Sequence, residues 1–148
     1  MRPEETFDFR IRRCWIGMSK MYNELVSASG ITVSVGFALL NMDVKEGTPS
    51  TALGPKMGME STSLSRLLKN MESAGLIFKE AHPEDKRSVL LKLTPLGLEK
   101  RNASRDAVFK FNAAISNSLG DTQSQSFFEA MDVIEQNIEL LRSPIQIS

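Results

Sequence analysis

One histidine, one tyrosine, one tryptophan and one cysteine are all that 148 residues contain of those types, and each scarcity closes a class of function. Cys14 stands alone, so no intrachain disulfide is possible. One histidine and one cysteine cannot make a zinc site of the usual kind. The glycine-bounded run Gly54-Pro55-Lys56-Met57-Gly58 lacks the spacing of a phosphate-binding loop. Paired carboxylates fall only in turns and capping segments, and no nucleophile, base and orienting group come together. No catalytic residue, metal site or cofactor is therefore expected. No apolar run approaches the roughly 18 residues that a membrane span needs. The first ten residues, MRPEETFDFR, hold no apolar core of the signal-peptide kind. The expectation is a cytoplasmic protein that is not an enzyme and meets no membrane.

Net charge is also lacking: 18 basic residues balance 18 acidic ones. Taken alone, that argues against nucleic acid. The distribution argues otherwise. Residues 49–101 carry an excess of three positive charges, residues 102–148 an excess of three negative ones, and residues 1–48 balance. The positive excess is modest, but it sits on the segment best suited to phosphates.

What is present is mostly helical periodicity. Phe7, Ile11, Cys14 or Trp15, Met18, Tyr22 and Leu25 recur at steps of three and four, which predicts a helix over 5–29 ended by Ser29-Gly30. A second helix, 32–43, is apolar nearly all round, with Val35, Ala38, Leu39 and Met42 along one side, and should be central to the packing. Lys45-Glu46-Gly47 reads as a turn. Thr48 is expected to cap the next helix and Pro49 to take its first position. Pro55 should kink or interrupt that helix over 49–58, with Leu53 and Met57 still pointing inward. Gly58 turns the chain into a further helix. Leu64, Leu67, Leu68, Met71 and Leu76 share its apolar face, while Ser61, Thr62, Ser63, Ser65, Arg66 and Lys69 lie mostly on the opposite one. One of the hydroxyls, Ser61 foremost, is also a candidate N-cap.

Gly75 stops this helix. Residues 76–81 and 88–93 then read as two strands around the charged tip His82-Pro83-Glu84-Asp85-Lys86-Arg87. Thr94-Pro95 looks like an N-cap and first helical residue. A helix over 95–118, a break at Leu119-Gly120-Asp121 and a last helix over 122–141 come after it. Phe127, Met131, Ile134, Ile138 and Leu141 form a heptad-like seam on it, and Ser143-Pro144 ends it. The fold class is mainly α with a small β-hairpin wing: a winged helix-turn-helix flanked by terminal helices. One domain is expected over 1–148, with a nucleic-acid-binding lobe over 32–97; the helices over 5–29 and 98–142 either interlock as dimerisation helices or pack only within one chain.

The run STSLSRLLKNMESAGLI, with PEDKRSVLLKLTPLG after it, resembles the signature of the multiple antibiotic resistance regulator (MarR) family. Met71-Glu72-Ser73-Ala74-Gly75-Leu76-Ile77, Asp85-Lys86-Arg87 and Leu93-Thr94-Pro95-Leu96-Gly97 fill its linked motifs in order. Pro55 departs from the family pattern. The resemblance implies a homodimer that binds a pseudo-palindromic operator in double-stranded DNA, represses transcription, and is released by a small aromatic ligand. It also implies a short strand near residue 45 that pairs with the wing.

Short hydroxyl side chains at Ser61, Thr62, Ser63 and Ser65 suit base edges or phosphates, and Arg66 and Lys69 share their face. Arg87 at the wing tip suits a narrow minor groove, Lys86 a phosphate, and Asp85 is spaced to hold the Arg87 guanidinium by a paired hydrogen bond. The alternatives are a solvated helix face and a surface ion pair of little energetic weight. A ligand pocket would be lined by Cys14, Trp15, Met18, Phe37 and Met42, residues that core packing explains equally well. Some members of the family sense organic hydroperoxides through a cysteine near this place. Their tyrosine hydroxyls have no counterpart at Ala28, Val33 or Gly36, and a buried structural cysteine is the commoner case. A winged helix that docks a protein instead of DNA is the alternative from another class.

Overall fold

The computed structural model describes residues 2–142, so the expected stop at Ser143-Pro144 lies outside the described residues. The chain divides between Val108 and Phe109 into two compact units. In the first, a 3-10 turn at Pro3–Glu5 leads into helix α1, Phe7–Ser27, and Thr6 bridges the two by donating both its N–H and its hydroxyl to the Pro3 carbonyl. Of the whole helix only Val26 is buried. Gly30, at φ 72°, turns the chain. Thr32 then caps helix α2, Val33–Leu40, its hydroxyl accepting from the Val35 N–H at 3.3 Å.

Helix α2 is central, as its all-round apolarity implies. Ala38, Leu39 and Met42 join Leu53, Leu64, Leu68, Met71, Leu76, Ile77 and Leu91 in one buried cluster. Burying a leucine- or methionine-sized side chain is worth about 1.5–3 kcal/mol. Leu39, Leu53, Met71 and Leu91, the largest of the fully buried side chains, are therefore the main apolar anchors of this unit.

Thr48 and Pro49 do not open a helix. They form strand β1, and helix α3 runs Ser50–Met57 behind them. The Thr48 hydroxyl accepts from the Asp43 N–H at 2.8 Å rather than capping α3, and the side chain is buried. Asp43 shapes the turn before it. Its carboxylate accepts from the Glu46 and Lys45 N–H groups, which hold it below the usual carboxylate range. That contribution to the turn is present above the ordinary carboxylate range and lost as pH falls through the lowered value.

Pro55 lies within α3 without interrupting it. The helix is so short that the proline falls in its last turn. The carbonyl left without a donor, that of Thr51, belongs to an exposed residue and is open to water. Leu53 points inward as expected, and Met57 packs against the core. Left-handed Gly58 closes α3 by a pair of bonds, its own N–H to Pro55 and that of Met59 to Gly54.

Helix α4, Ser61–Ser73, buries Leu64, Leu68 and Met71. Gly75, at φ 72°, ends it in the same way, with its N–H on the Glu72 carbonyl and that of Leu76 on Met71. Strands β2, Ile77–Ala81, and β3, Val89–Leu93, then pair antiparallel from Ile77↔Leu93 to Ala81↔Val89. β1 adds to the outer side of β3 at Leu90 and Leu91, giving the order β1-β3-β2. The short third strand that the family resemblance implies is thus Thr48–Pro49, and its edge position suits proline, which has no N–H to give.

Thr94 joins the end of α4 to the last helical span. Its N–H donates to the Leu76 carbonyl at 3.0 Å, and its hydroxyl donates to the Gly75 carbonyl at 2.6 Å. The same hydroxyl accepts from the Gly97 N–H, capping helix α5, Pro95–Arg142. That helical span breaks at Gly120 (φ 73°, ψ 172°), where the sequence places the break. The second unit, from Phe109 on, is helical on both sides of Gly120. Phe127 and Phe128 meet edge to face there at 5.6 Å, and Phe127, Ile138 and Leu141 of the seam are exposed.

Two glycines make opposite predictions. A Cβ at Gly97 would lie 1.9 Å from the Leu76 carbonyl oxygen, whereas one at Gly36 would meet the Ser104 hydroxyl at 2.7 Å. A carbonyl in a hydrogen-bonded junction cannot yield, but a hydroxyl can rotate. Gly97→Ala should lower stability by about 3 kcal/mol, the upper end of overpacking. Gly36→Ala should change it by no more than about 1 kcal/mol, since helix propensity favours alanine. Urea unfolding of both variants checks this. Equal midpoints would mean that α5 does not approach Leu76 so closely.

Candidate nucleic-acid interface

The two reading elements expected from the sequence are α4 and the hairpin β2–β3. On α4 the apolar positions are committed to the core, and their spacing leaves Ser61, Thr62, Ser63, Ser65, Arg66 and Lys69 all exposed. Ser61 is not the cap. The N-cap residue is Glu60, whose side chain makes no capping bond, and Ser61 is the first helical residue. The hydroxyl row is thus free of that local duty. Between α3 and α4 lies an open groove of about 360 Å³, edged by the hydroxyl-bearing residues Ser50, Thr51, Ser61 and Ser65.

The cations divide into engaged and free. Lys79 on β2 pairs with Glu72 at the end of α4 at 3.0 Å. Lys92 on β3 pairs with Glu80 on β2 at 2.7 Å, and Lys100 with Glu99 at 3.2 Å. Among the described residues, Lys56, Arg66, Lys69, Lys86 and Arg87 enter no ion pair. The unpaired cations of residues 49–101 thus lie on α3, α4 and the wing tip, with Arg101 on the last helical span besides.

At that tip the structure corrects one expectation. Asp85 does not hold the Arg87 guanidinium. Its carboxylate accepts from the Arg87 main-chain N–H at 2.9 Å. The i to i+2 spacing permits either contact. The main-chain donor wins because the strand ladder has ended and the N–H needs an acceptor, while the guanidinium is solvated. Asp85, Lys86 and Arg87 are all exposed.

His82, which entered the sequence argument only as too few histidines for a metal site, has a local role. Its Nδ1 accepts from the Glu84 N–H at 3.2 Å and the Asp85 N–H at 3.1 Å. Its main-chain N–H donates to the Ser88 carbonyl, and the Ser88 N–H returns to the Asp85 carbonyl. A histidine just ahead of a Pro-Glu-Asp turn was the available signal.

The five ligand-pocket candidates differ in burial. Met42 is 2% exposed and belongs to the core. Trp15 and Phe37 are 60% and 47% exposed, Met18 is half-buried, and Cys14 is exposed. In the single chain Cys14 is exposed, since α1 packs on α2 with Val26 as its one buried residue.

Comparison with known proteins agrees with this geometry. Residues 31–89, from just before α2 to the first residue of β3, match the MarR family model. The chain is 36% identical over 80 residues to an organic hydroperoxide resistance transcriptional regulator of Bacillus subtilis (strain 168), covering 54% of each chain. It is 24% identical over 116 residues to a putative transcriptional regulatory protein for the hcr operon of Thauera aromatica, covering 78% of this chain and 70% of that one. The match thus spans about half the length of the first of these relatives. A crystal structure of the S. aureus MepR–DNA complex superposes with a TM-score of 0.81 at 16% identity, over 89% of this chain and 98% of that one. At that identity the likeness shows a shared fold.

Proposed function

On the premise that residues 31–89 form a MarR-family domain, we propose that this protein is a DNA-binding transcriptional regulator, a homodimer on a pseudo-palindromic operator. We extend the reading to a repressor released by a small aromatic ligand. The observation that carries DNA binding is the unpaired set Arg66, Lys69, Lys86 and Arg87 on α4 and the wing, beside a row of free hydroxyls. Phosphate contacts supply sequence-independent affinity, and base-edge contacts supply preference. The dimer is supported by apolar side chains that one chain leaves in water. Phe7 and Ile16 on α1 are 79% and 56% exposed, and Leu141 is 86% exposed. Burying such surface against a second copy gains about 25 cal/mol per Å².

DNA fragments selected by the purified protein serve as the operator in titrations at fixed salt. Arg87→Ala should weaken binding by about 1–3 kcal/mol. Lys69→Ala should weaken all sequences alike and reduce the salt slope by about one. Thr62→Ala and Ser63→Ala should relax sequence preference. Asp85→Asn keeps an acceptor for the Arg87 N–H and sheds a negative charge, so it should bind more tightly than Asp85→Ala. Normal binding by Arg87→Ala and Lys69→Ala together would favour a wing that docks protein. Sedimentation should give about twice 16.5 kDa, and Ile134→Glu with Leu141→Glu should lower that mass. A wild-type monomer sinks the dimer.

The exposure of Cys14 favours a second reading, a thiol sensor of organic hydroperoxides. A hydroperoxide should then oxidise Cys14 and release DNA from the wild type but not from Cys14→Ser. Equal release from both proteins removes this reading.

A further inference from the structure

We infer that His82 is a positioning residue for the wing tip, and that it holds the tip only as a neutral imidazole. The inference rests on the DNA-binding reading and names what keeps Arg87 presented. Pro83 has no N–H to satisfy, so the first main-chain donors of the tip are those of Glu84 and Asp85. Both point at the one lone pair of His82 Nδ1, at 3.2 and 3.1 Å. Asp85, placed by that bond, accepts from the Arg87 N–H at 2.9 Å, and its carbonyl accepts from Ser88. The imidazole therefore begins a relay of three residues that ends at the main chain of Arg87.

A neutral imidazole can accept at Nδ1 while its other nitrogen carries the proton. An imidazolium carries protons on both nitrogens and has no acceptor left. Protonation would set an N–H against two N–H groups and release the turn. The charged groups around it are Glu84, Asp85, Lys86 and Arg87 in the tip, with Glu80 and Lys92 on the strands, the last two paired at 2.7 Å. Carboxylate, ammonium and guanidinium groups ordinarily keep their charge across the range in which imidazoles protonate. The chain has a single histidine, so an imidazole titration in this protein belongs to this residue. A positive imidazole also attracts phosphate, which opposes the loss of order. Affinity alone at low pH therefore cannot separate the two effects, but side-chain replacement can. His82→Asn places an amide oxygen close to where Nδ1 sits and does not titrate. His82→Ala removes the acceptor.

The experiment measures water exchange of the Glu84 and Asp85 amides in the labelled full chain without DNA, relative to intrinsic rates, at two pH values where the ring's own carbon-bound proton resonances show the imidazole neutral and protonated. In the wild type both amides should be protected roughly threefold to tenfold with the ring neutral, as one neutral hydrogen bond allows, and unprotected with it protonated. His82→Asn should protect them at both values and His82→Ala at neither. Selected DNA is then titrated at pH 7.5. His82→Ala should bind roughly threefold to tenfold more weakly, and His82→Asn within about twofold of the wild type. Equal protection in His82→Ala and the wild type overturns the cap, and wild-type protection that persists once the ring resonances show the imidazole protonated overturns the dependence on the neutral form. Full DNA affinity in His82→Ala overturns the positioning role. If the wild type itself binds no DNA, the DNA reading fails and the positioning role with it, while the exchange data still decide the cap.

Discussion

The junction at Gly75 and Leu76 is the contact on which the two reading elements depend. The end of α4, the start of the wing and the start of α5 all meet there. Thr94 ties them through the Leu76 and Gly75 carbonyls, and Gly97 lets the first turn of α5 lie against the Leu76 main chain. These contacts are made by main chain and by the hydroxyl of a half-buried threonine, so they do not depend on exposed charge. The Lys79–Glu72 pair joins the same two elements, but both side chains are over 40% exposed, and such a pair is worth about 0–1 kcal/mol. The junction of α4 with the wing is therefore set by the hydrogen bonds of Thr94 and by one residue with no side chain.

Much of this was legible because it repeats with a period or uses a residue of special conformation. Leu64, Leu68 and Met71 follow the helical period, and each is buried. Gly58, Gly75 and Gly120 adopt positive φ where the pattern demands a stop. Thr94-Pro95 caps a helix as its chemistry suggests. The misreadings arise where local chemistry has two outcomes and a distant partner chooses. Thr48-Pro49-Ser50 is a good helix start by local rules, but pairing with Leu90 and Leu91, some forty residues on, makes a strand of it. Asp85 reaches either a guanidinium or a main-chain N–H two residues away, and the end of the ladder decides. Cys14 lies on the apolar stripe of α1, and the stripe alone does not say what covers it.

Charge obeys the same logic. Within the α4 and wing segment, Lys79, Lys92 and Lys100 brace the fold locally, while Arg66, Lys69, Lys86 and Arg87 are left with solvent. Counting basic residues along this segment overstates the positive charge that it leaves unclaimed. The hydroxyl row on α4 is sorted in the same way, since Glu60 rather than Ser61 stands at the cap.

The tip of the wing is an exposed loop held by its own hydrogen bonds. An arginine that enters a narrow groove gives up side-chain freedom, and a mobile loop would add main-chain entropy of about 1–2 kcal/mol per residue to that loss. Here the loop is closed before any target arrives. Proline removes one donor, the imidazole takes two, the aspartate takes one, and the Ser88 N–H closes back on Asp85. Each bond is weak and solvent-exposed, so the tip is held by their number and by their order along the chain. The first acceptor in that order is an imidazole nitrogen, which accepts only while it carries no proton. The Arg87 guanidinium, with no ion-pair partner, projects from a backbone that these bonds have already placed.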